Sequence, residues 1–198
     1  MLKDNIAVIA VLEMKNKSDN PNQRDIVIVA NTHIHWNPEF SDVKLVQTQI
    51  FTEKLTELRK KYKMPPLIVC GDFNSTPDSG VYELITKGKV SASHPELLSF
   101  KYGKYTQQGM SHELPLISCY GMYGEPAFTN YTTDFIGVLD YIFCTQDNCK
   151  PSNVLAPPNE DDILSYNGAL PNPFNCSDHI LLFGTILVKF SEKPQETK

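Results

Sequence analysis

The chain has 198 residues, of which 41% are hydrophobic and 21% charged, which is enough for one soluble domain with a substantial core. Its net charge of −5 argues against a protein that coats nucleic acid nonspecifically, because such proteins are usually basic. No apolar stretch approaches the roughly 20 residues of a transmembrane helix, and the charged start Met1–Asp4 lacks the pattern of a signal peptide.

The first part of the chain predicts two paired strands. Residues 6–13 (IAVIAVLE) are nearly all apolar and indicate a buried strand, and residues 25–31 (DIVIVAN) are rich in β-branched side chains. The polar residues 15–24 between them predict a hairpin loop, so we expect an antiparallel pair.

A helix is predicted next. Apolar residues recur at helical spacing from Phe51 to Tyr62, with Ser41 as the predicted N-cap and Pro65 as the stop signal. The remaining pattern predicts, in order, a strand at 67–70, a short helix at 81–85, long loops with small helical pieces at 91–131, a strand at 138–144, a surface excursion at 146–175, a strand at 180–190 and a disordered tail at 191–198.

The five cysteines form no Cys-x-x-Cys pair. Cys70 and Cys144 lie within apolar strand patterns, where a free thiol packs as a small hydrophobic group. We therefore expect five buried, unreactive thiols in a reducing, intracellular environment.

Four short polar clusters each adjoin a predicted strand. Strand ends are stiff, so polar groups placed there can converge with little reorganisation. Together the clusters fit one metal-dependent phosphodiesterase site. They are Asn31–His33, Gly71–Asn74, Leu139–Tyr141 and Ser177–His179.

The second cluster offers a carboxylate and an amide. Asp72 can hold Mg²⁺ or accept a proton from water, and Asn74 can donate a hydrogen bond to a phosphate oxygen without adding negative charge. In strand-like geometry these two side chains would share a face. Turns also favour Asp and Asn, so this motif alone is a weak signal.

Asp140 interrupts an otherwise apolar strand. A buried carboxylate needs a partner, and His179 is our candidate. Asp178, beside His179, is a candidate metal ligand. In the alternative, Asp140 faces solvent on an edge strand.

His33 and His35 could in principle ligate zinc, but no second pair with matching spacing appears. Phosphate binding is therefore the better use for His33. We interpret Trp36 as a packing residue rather than a platform for a base.

The motifs in their chain order resemble a known family. They are Asn31–Pro38, Ser41–Lys44, Cys70–Ser75, Pro77–Gly80, Phe128–Thr132, Phe135, Gly137–Ile142 and Ser177–His179. This series is similar to the catalytic deadenylase subunit of the CCR–NOT complex, in the endonuclease/exonuclease/phosphatase superfamily.

The resemblance implies an α/β fold in which a two-layer β-sandwich is flanked by helices, with the site at one end. It implies Mg²⁺-dependent 3′→5′ removal of AMP from mRNA poly(A) tails, with two metal ions. The implied partners are poly(A) RNA and subunits of the CCR–NOT complex, and neither DNA nor a membrane. The implied location is the cytoplasm, with the nucleus as a second compartment.

The resemblance also implies a role for each site residue. For catalysis, it places Asp72 at the metal and the attacking water, Asp178 at the metal, Asn74 and His33 at the scissile phosphate, and His179 at the phosphorane, oriented by Asp140. For substrate binding, it places Pro38 and Phe135 on the two faces of an adenine, with Asn130 hydrogen-bonding close by.

In the family, about as many residues again precede this point and carry the first strands and the glutamate that is the main Mg²⁺ ligand. We therefore expect residues 1–190 to be the C-terminal portion of one nuclease domain whose N-terminal half is missing, with weak or no activity alone. Two alternatives stay open. One is a related phosphodiesterase or phosphatase acting on 2′,5′-oligoadenylate or a dinucleotide, and the other is a catalytically incomplete fragment that binds RNA or a partner.

Overall fold

The computed structural model describes residues 4–15, 25–165 and 168–190. The expected hairpin loop at 15–24, except for Lys15, and the expected disordered tail at 191–198 lie outside these residues. In chain order the elements are β1 Ala7–Glu13, β2 Ile26–His33, α1 Ser41–Lys61, β3 Leu67–Asp72, α2 Gly80–Lys87, β4 Lys89–Val90, α3 Lys104–Gln108, β5 Met110–Ser111, β6 Leu116–Ser118, β7 Asn130–Tyr131, β8 Ile136–Gly137, β9 Asp140–Thr145, β10 Cys149–Val154, α4 Glu160–Leu164 and β11 Gly184–Val188.

The main sheet has five strands in the order β1-β2-β3-β9-β6. β1 and β2 are antiparallel, as the sequence predicts, and β2 and β3 are parallel, which requires the crossover that α1 provides. β9 runs antiparallel to both β3 and β6. The C-terminal ends of β2 and β3 and the N-terminal end of β9 therefore lie side by side at the same end of the strands.

Alternating side chains give the main sheet two packed faces. Val69 of β3 and Phe143 of β9 join the core formed with α1 and α2. Their neighbours Ile68 and Cys144 point the other way and pack against Val154 and other residues of the β10–β11 pair. The mixed sheet with helices on one face and a second small sheet on the other confirms the predicted layered α/β fold.

Several element predictions are corrected. β1 is not a buried strand, since it lies at the edge of the sheet and Val8 is 63% exposed. The stretch 146–175 is not only a surface excursion, because it contains β10 and α4. The short strand β6 in the poorly periodic region joins the main sheet, although three residues are too few to show a pattern. The last strand starts only at Gly184.

Local details at the helix and the cysteines also differ. Ser41 is the first residue of α1 rather than its cap, and its hydroxyl donates to the carbonyl of Glu96. All five cysteines are free, but Cys176 is exposed and Cys70 is only partly buried. None of the described helices is both long and apolar enough to cross a membrane.

Candidate active site

Strand pairing places two aspartates side by side. β3 ends at Asp72, β9 begins at Asp140, and these two residues are paired in register. The sequence predicts Asp140 in the middle of its strand. In the structure it is instead the first residue of β9. The two carboxylates therefore lie at the same end of the sheet as the C-terminal end of β2.

Gly71 allows the chain to make this approach. Its φ is +140°, and a Cβ atom there would lie 2.0 Å from the carbonyl oxygen of Thr32 on the neighbouring strand. Any side chain at this position would collide with backbone, so the tight pairing of β2 and β3 beside Asp72 depends on glycine.

Asn74 reaches the site through a turn rather than along a strand. Its φ is +45°, so the expected strand-like geometry in which it shares a face with Asp72 is wrong. Its backbone N–H donates to Oδ1 of Asp72 at 2.7 Å, and its side-chain Nδ2 donates to the carbonyl of Ile34 at 2.9 Å. A short polar residue tolerates this left-handed conformation better than most, and the amide is held close to the carboxylate.

The predicted contact between Asp140 and His179 is present. Nδ1 of His179 lies 2.7 Å from Oδ2 of Asp140. The same carboxylate oxygen accepts the hydroxyl of Thr129 at 2.7 Å, and that hydroxyl in turn accepts the backbone N–H groups of Leu139 and Asp140. Asp140 thus lies between a fixed hydroxyl and an imidazole ring, which it orients.

Thr129 is a site residue that our reading of the sequence missed. It is fully buried, and its carbonyl oxygen accepts the backbone N–H of Ile180, next to His179. Nothing in a single threonine before a short strand signals this role. Only the pairing of segments distant along the chain reveals it.

Asp72, Asp140 and His179 form a close cluster of possible metal ligands. Among the described residues, one ligand atom from each lies within 4.8 Å of the others. Mg²⁺ is commonly held by one or two carboxylates, whereas imidazole is a ligand more typical of transition metals. The two carboxylates therefore fit the expected metal, and Nδ1 of His179 is engaged by Asp140.

Asp178 lies in the same cleft but outside that group. Its Oδ2 accepts Nδ2 of Asn130 at 3.3 Å, and its carbonyl accepts the backbone N–H of Tyr131. The structure thus joins Asp178 to Asn130, and the role of Asp178 as a metal ligand stays a prediction.

Burial and charge shift the pKa values in the metal-free site. Burial raises the pKa of the Asp72 carboxyl, and the nearby Asp140 charge adds to the rise against the opposing backbone N–H of Asn74. For His179, burial alone would lower the pKa, but the hydrogen bond to Asp140 and the charges of Asp140, Asp72 and Asp178 together raise it. Two carboxylates held so close favour an added cation, which would relieve their repulsion.

His33 stands at the mouth of this cluster. Its Nε2 lies 3.4 Å from Oδ2 of Asp72, and its side chain is 67% exposed. His35 is instead buried, so the two histidines do not form one ligand set. His33 is therefore placed to contact a group that enters from solvent.

A cleft of about 710 Å³ joins the acidic cluster to an apolar wall. Pro38 and Phe135 line that wall, and Phe135 is 38% exposed, while their place on the two faces of an adenine stays a prediction. The ring of Phe135 covers Gly137, where an added Cβ would lie 2.7 Å from Cζ of the ring. Trp36 also lines the cleft and is 68% exposed, so its interpretation as a packing residue is wrong.

Lys44 is a second residue that the sequence analysis did not nominate. It lies in the first turn of α1, lines the cleft and is almost fully buried. Its Nζ donates to the carbonyl of Asn74 at 2.7 Å. Burial lowers the pKa of Lys44, against the opposing carboxylates of Glu96 and Asp72.

The fold and the acidic cleft define a class of protein. Residues 18–179 match the model of the Endonuclease/Exonuclease/phosphatase family, and the chain belongs to that family. Among solved structures, it resembles ANGEL2, a 2′,3′-cyclic phosphatase, with a TM-score of 0.72 and 26% identity over 93% of this chain and 61% of that one. The human Nocturnin catalytic domain shares the fold, with a TM-score of 0.63 and 21% identity over 94% of this chain and 54% of that one.

Similarity in sequence points to one group of proteins within this family. The chain is 36% identical to the CCR4-Not complex 3′-5′-exoribonuclease subunit Ccr4 of Mycosarcoma maydis, over 98% of this chain and 31% of that protein. It is 35% identical to the corresponding subunit of Schizosaccharomyces pombe, over 98% of this chain and 30% of that protein. The resemblance drawn from the motifs is thus confirmed, and the chain spans about a third of the length of these relatives.

Proposed function

We propose that this chain carries the phosphate-hydrolysing site of a Mg²⁺-dependent 3′→5′ exoribonuclease that releases AMP from poly(A). One observation carries the proposal. The cluster of Asp72, Asp140 and His179 opens into the same cleft as the aromatic wall of Phe135. Hydrolytic groups and a surface suited to a nucleobase are therefore within reach of one nucleotide. The Ccr4 relatives, named as 3′-5′-exoribonuclease subunits, support the reaction class.

The residues have complementary tasks in this proposal. His179, held through Nδ1 by Asp140, keeps Nε2 free to donate to a phosphate oxygen as negative charge develops. Asp72 can accept a proton from the attacking water. His33 and the amide of Asn74 bind the scissile phosphate. Bound Mg²⁺ would supply charge neutralisation and polarisation of the phosphate.

Base selection would come from stacking rather than from a basic surface. The adenine would lie between Pro38 and Phe135, with Asn130 as a hydrogen-bonding neighbour. Stacking on an aromatic ring contributes about 1–3 kcal/mol per base. It is compatible with the net charge of −5, which disfavours binding through a broad basic patch.

The direct test is a single-turnover assay with excess protein, Mg²⁺ and 5′-labelled oligonucleotides of A or U. We expect slow release of AMP from the 3′ end of the A oligomer, no release with EDTA, and none from the Asp72→Asn variant. Equal shortening of A and U oligomers would contradict the role of the aromatic wall. Binding of poly(A) with no AMP release would favour the RNA-binding fragment instead.

A second candidate is a phosphatase or phosphodiesterase acting on a small adenylate. The likeness to ANGEL2, solved with adenosine-2′,3′-vanadate, favours it. The same cleft would hold the adenosine and the same cluster the phosphate. Faster hydrolysis of adenosine 2′,3′-cyclic phosphate, 2′,5′-oligoadenylate or a dinucleotide than of the A oligomer would support this candidate over the first.

A further inference from the structure

We propose that Lys44 is an anion-binding residue of the cleft, whose ammonium group contacts the substrate phosphate while it also holds the turn at Asn74. This deepens the proposed function and rests on it, because the anion is the phosphate of the adenylate.

The charge of the cleft calls for such a group. Among the described residues that line it, Asp72, Asp140 and Asp178 are carboxylates, whereas Lys44 is the one lysine or arginine. A lining with this balance repels a phosphodiester unless cations offset it. A divalent ion at the cluster supplies part of the positive charge, and Lys44 adds a fixed charge on the side of Asn74.

The geometry leaves Lys44 able to bind a second group. An ammonium carries three donors, and the hydrogen bond to the carbonyl of Asn74 at 2.7 Å uses one. Glu96 and Asp72 influence Lys44 through charge, but no carboxylate of the described residues lies within ion-pair distance of Nζ. Two ammonium donors therefore remain for an incoming anion, and the one acceptor bonded to Nζ within the described part of the chain is a neutral carbonyl.

The location of Asn74 joins this charge to the reaction site. Asn74 donates its backbone N–H to Asp72 and receives Lys44 at its own carbonyl. A phosphate bound by the Asn74 side-chain amide would therefore lie next to the residue whose carbonyl the Lys44 ammonium contacts. The same bond also predicts a purely structural role for Lys44, namely support of the turn, and the two roles differ in their effect on metal binding.

The test measures Mg²⁺ binding, and AMP binding in saturating Mg²⁺, by calorimetry on the whole chain and three variants. Lys44→Met removes the charge, and Lys44→Arg retains it. Lys60→Met is the matched control, because it removes an exposed lysine about 24 Å further along the same helix. Thermal unfolding of each variant verifies the fold. If Lys44→Met does not fold, Lys44→Gln, which keeps a donor for the Asn74 carbonyl, takes its place.

We expect Lys44→Met to weaken AMP binding by roughly tenfold or more, the effect of losing one charge-assisted hydrogen bond. Its Mg²⁺ affinity should be unchanged or higher, because a cation near Asp72 is removed. Lys44→Arg and Lys60→Met should stay within about threefold of the unchanged chain for AMP. Unchanged AMP affinity in Lys44→Met, or equal loss of Mg²⁺ and AMP binding, would overturn the inference. An unchanged chain that binds neither Mg²⁺ nor AMP would instead overturn the proposed function, and the inference with it.

Discussion

Nδ1 of His179 and Oδ2 of Asp140 lie 2.7 Å apart, although the two residues come from distant parts of the chain. The hydroxyl of Thr129 meets the same carboxylate oxygen, so Asp140 is held from one side while it orients the imidazole from the other. The arrangement fixes which ring nitrogen faces the cleft, and the Asp140 carboxylate favours a raised pKa for His179.

Asp140→Asn should lower the pKa of His179 in the metal-free protein. Burial favours the neutral ring, and in the unchanged chain the hydrogen bond and charge of Asp140 overcome that effect. The variant keeps the size of the side chain and removes its charge. NMR titration of the imidazole measures the shift, and AMP release should fall about 10–100-fold. An unshifted titration would contradict the assigned pairing.

The same pair predicts a pH dependence of stability. Because the pKa of His179 is raised on folding, its contribution is fully present below the unfolded histidine pKa of about 6.5 and is lost as the pH rises through the folded pKa. Urea unfolding of the metal-free chain across this range should show this loss, and Asp140→Asn should flatten it. An equal pH slope in both proteins would count against the prediction.

Phe135→Ala should reduce AMP release from an A oligomer by about tenfold, because the exposed ring offers the stacking surface of the cleft. Mg²⁺ affinity should not change, since the ring is not a metal ligand. Phe100→Ala, at a phenylalanine that is also exposed but does not line the cleft, is the control. Equal losses in both variants would remove Phe135 from adenine binding.

Gly71→Ala should destabilise the chain by about 2–4 kcal/mol, since strain at φ +140° adds to the collision with the Thr32 carbonyl. Gly124→Ala is the control, because its φ of +86° is also unfavourable while nothing lies within 4 Å of an added Cβ. It should cost about 1–2 kcal/mol. Thermal unfolding compares the two, and equal shifts would exclude the close approach of β2 and β3 as the cause.

Asp147→Ala should destabilise the chain by about 2–3 kcal/mol, because it leaves the buried Arg59 guanidinium without its two-oxygen partner at 2.6 and 2.7 Å. Glu113→Ala breaks the exposed pair with Lys60 and should leave the stability almost unchanged, because solvent screens such a pair. Chemical denaturation measures both. A cost for Glu113→Ala as large as that for Asp147→Ala would contradict the burial argument.

Much of the fold is predictable from local pattern. The runs that form β1, β2 and β3 and the helical spacing in α1 gave their types correctly, because apolar periodicity reflects burial directly. β1 was nevertheless expected to be buried, since an apolar run does not reveal that its strand lies at a sheet edge. β6 and β10 are defined by pairing with distant strands, which local pattern does not encode.

The candidate site was predictable where burying a charged side chain would cost free energy unless it had a partner. A carboxylate in an apolar run indicated that Asp140 needs a partner, and the structure supplies His179. Thr129 and Lys44 were missed because a threonine in a loop and a lysine on a helix are ordinary residues. Their significance arises from contacts across the fold, with Asp140 and with Asn74.

The central claim is that Asp72 holds a divalent cation in the cleft, beside the Asp140–His179 pair, and calorimetric titration with Mg²⁺ tests it most directly. The unchanged chain should bind Mg²⁺, Asp72→Asn should bind it at least roughly tenfold more weakly, and Asp161→Asn, at an exposed aspartate on α4, should bind as the unchanged chain does. Mg²⁺ binding by Asp72→Asn that equals that of the unchanged chain would contradict the account.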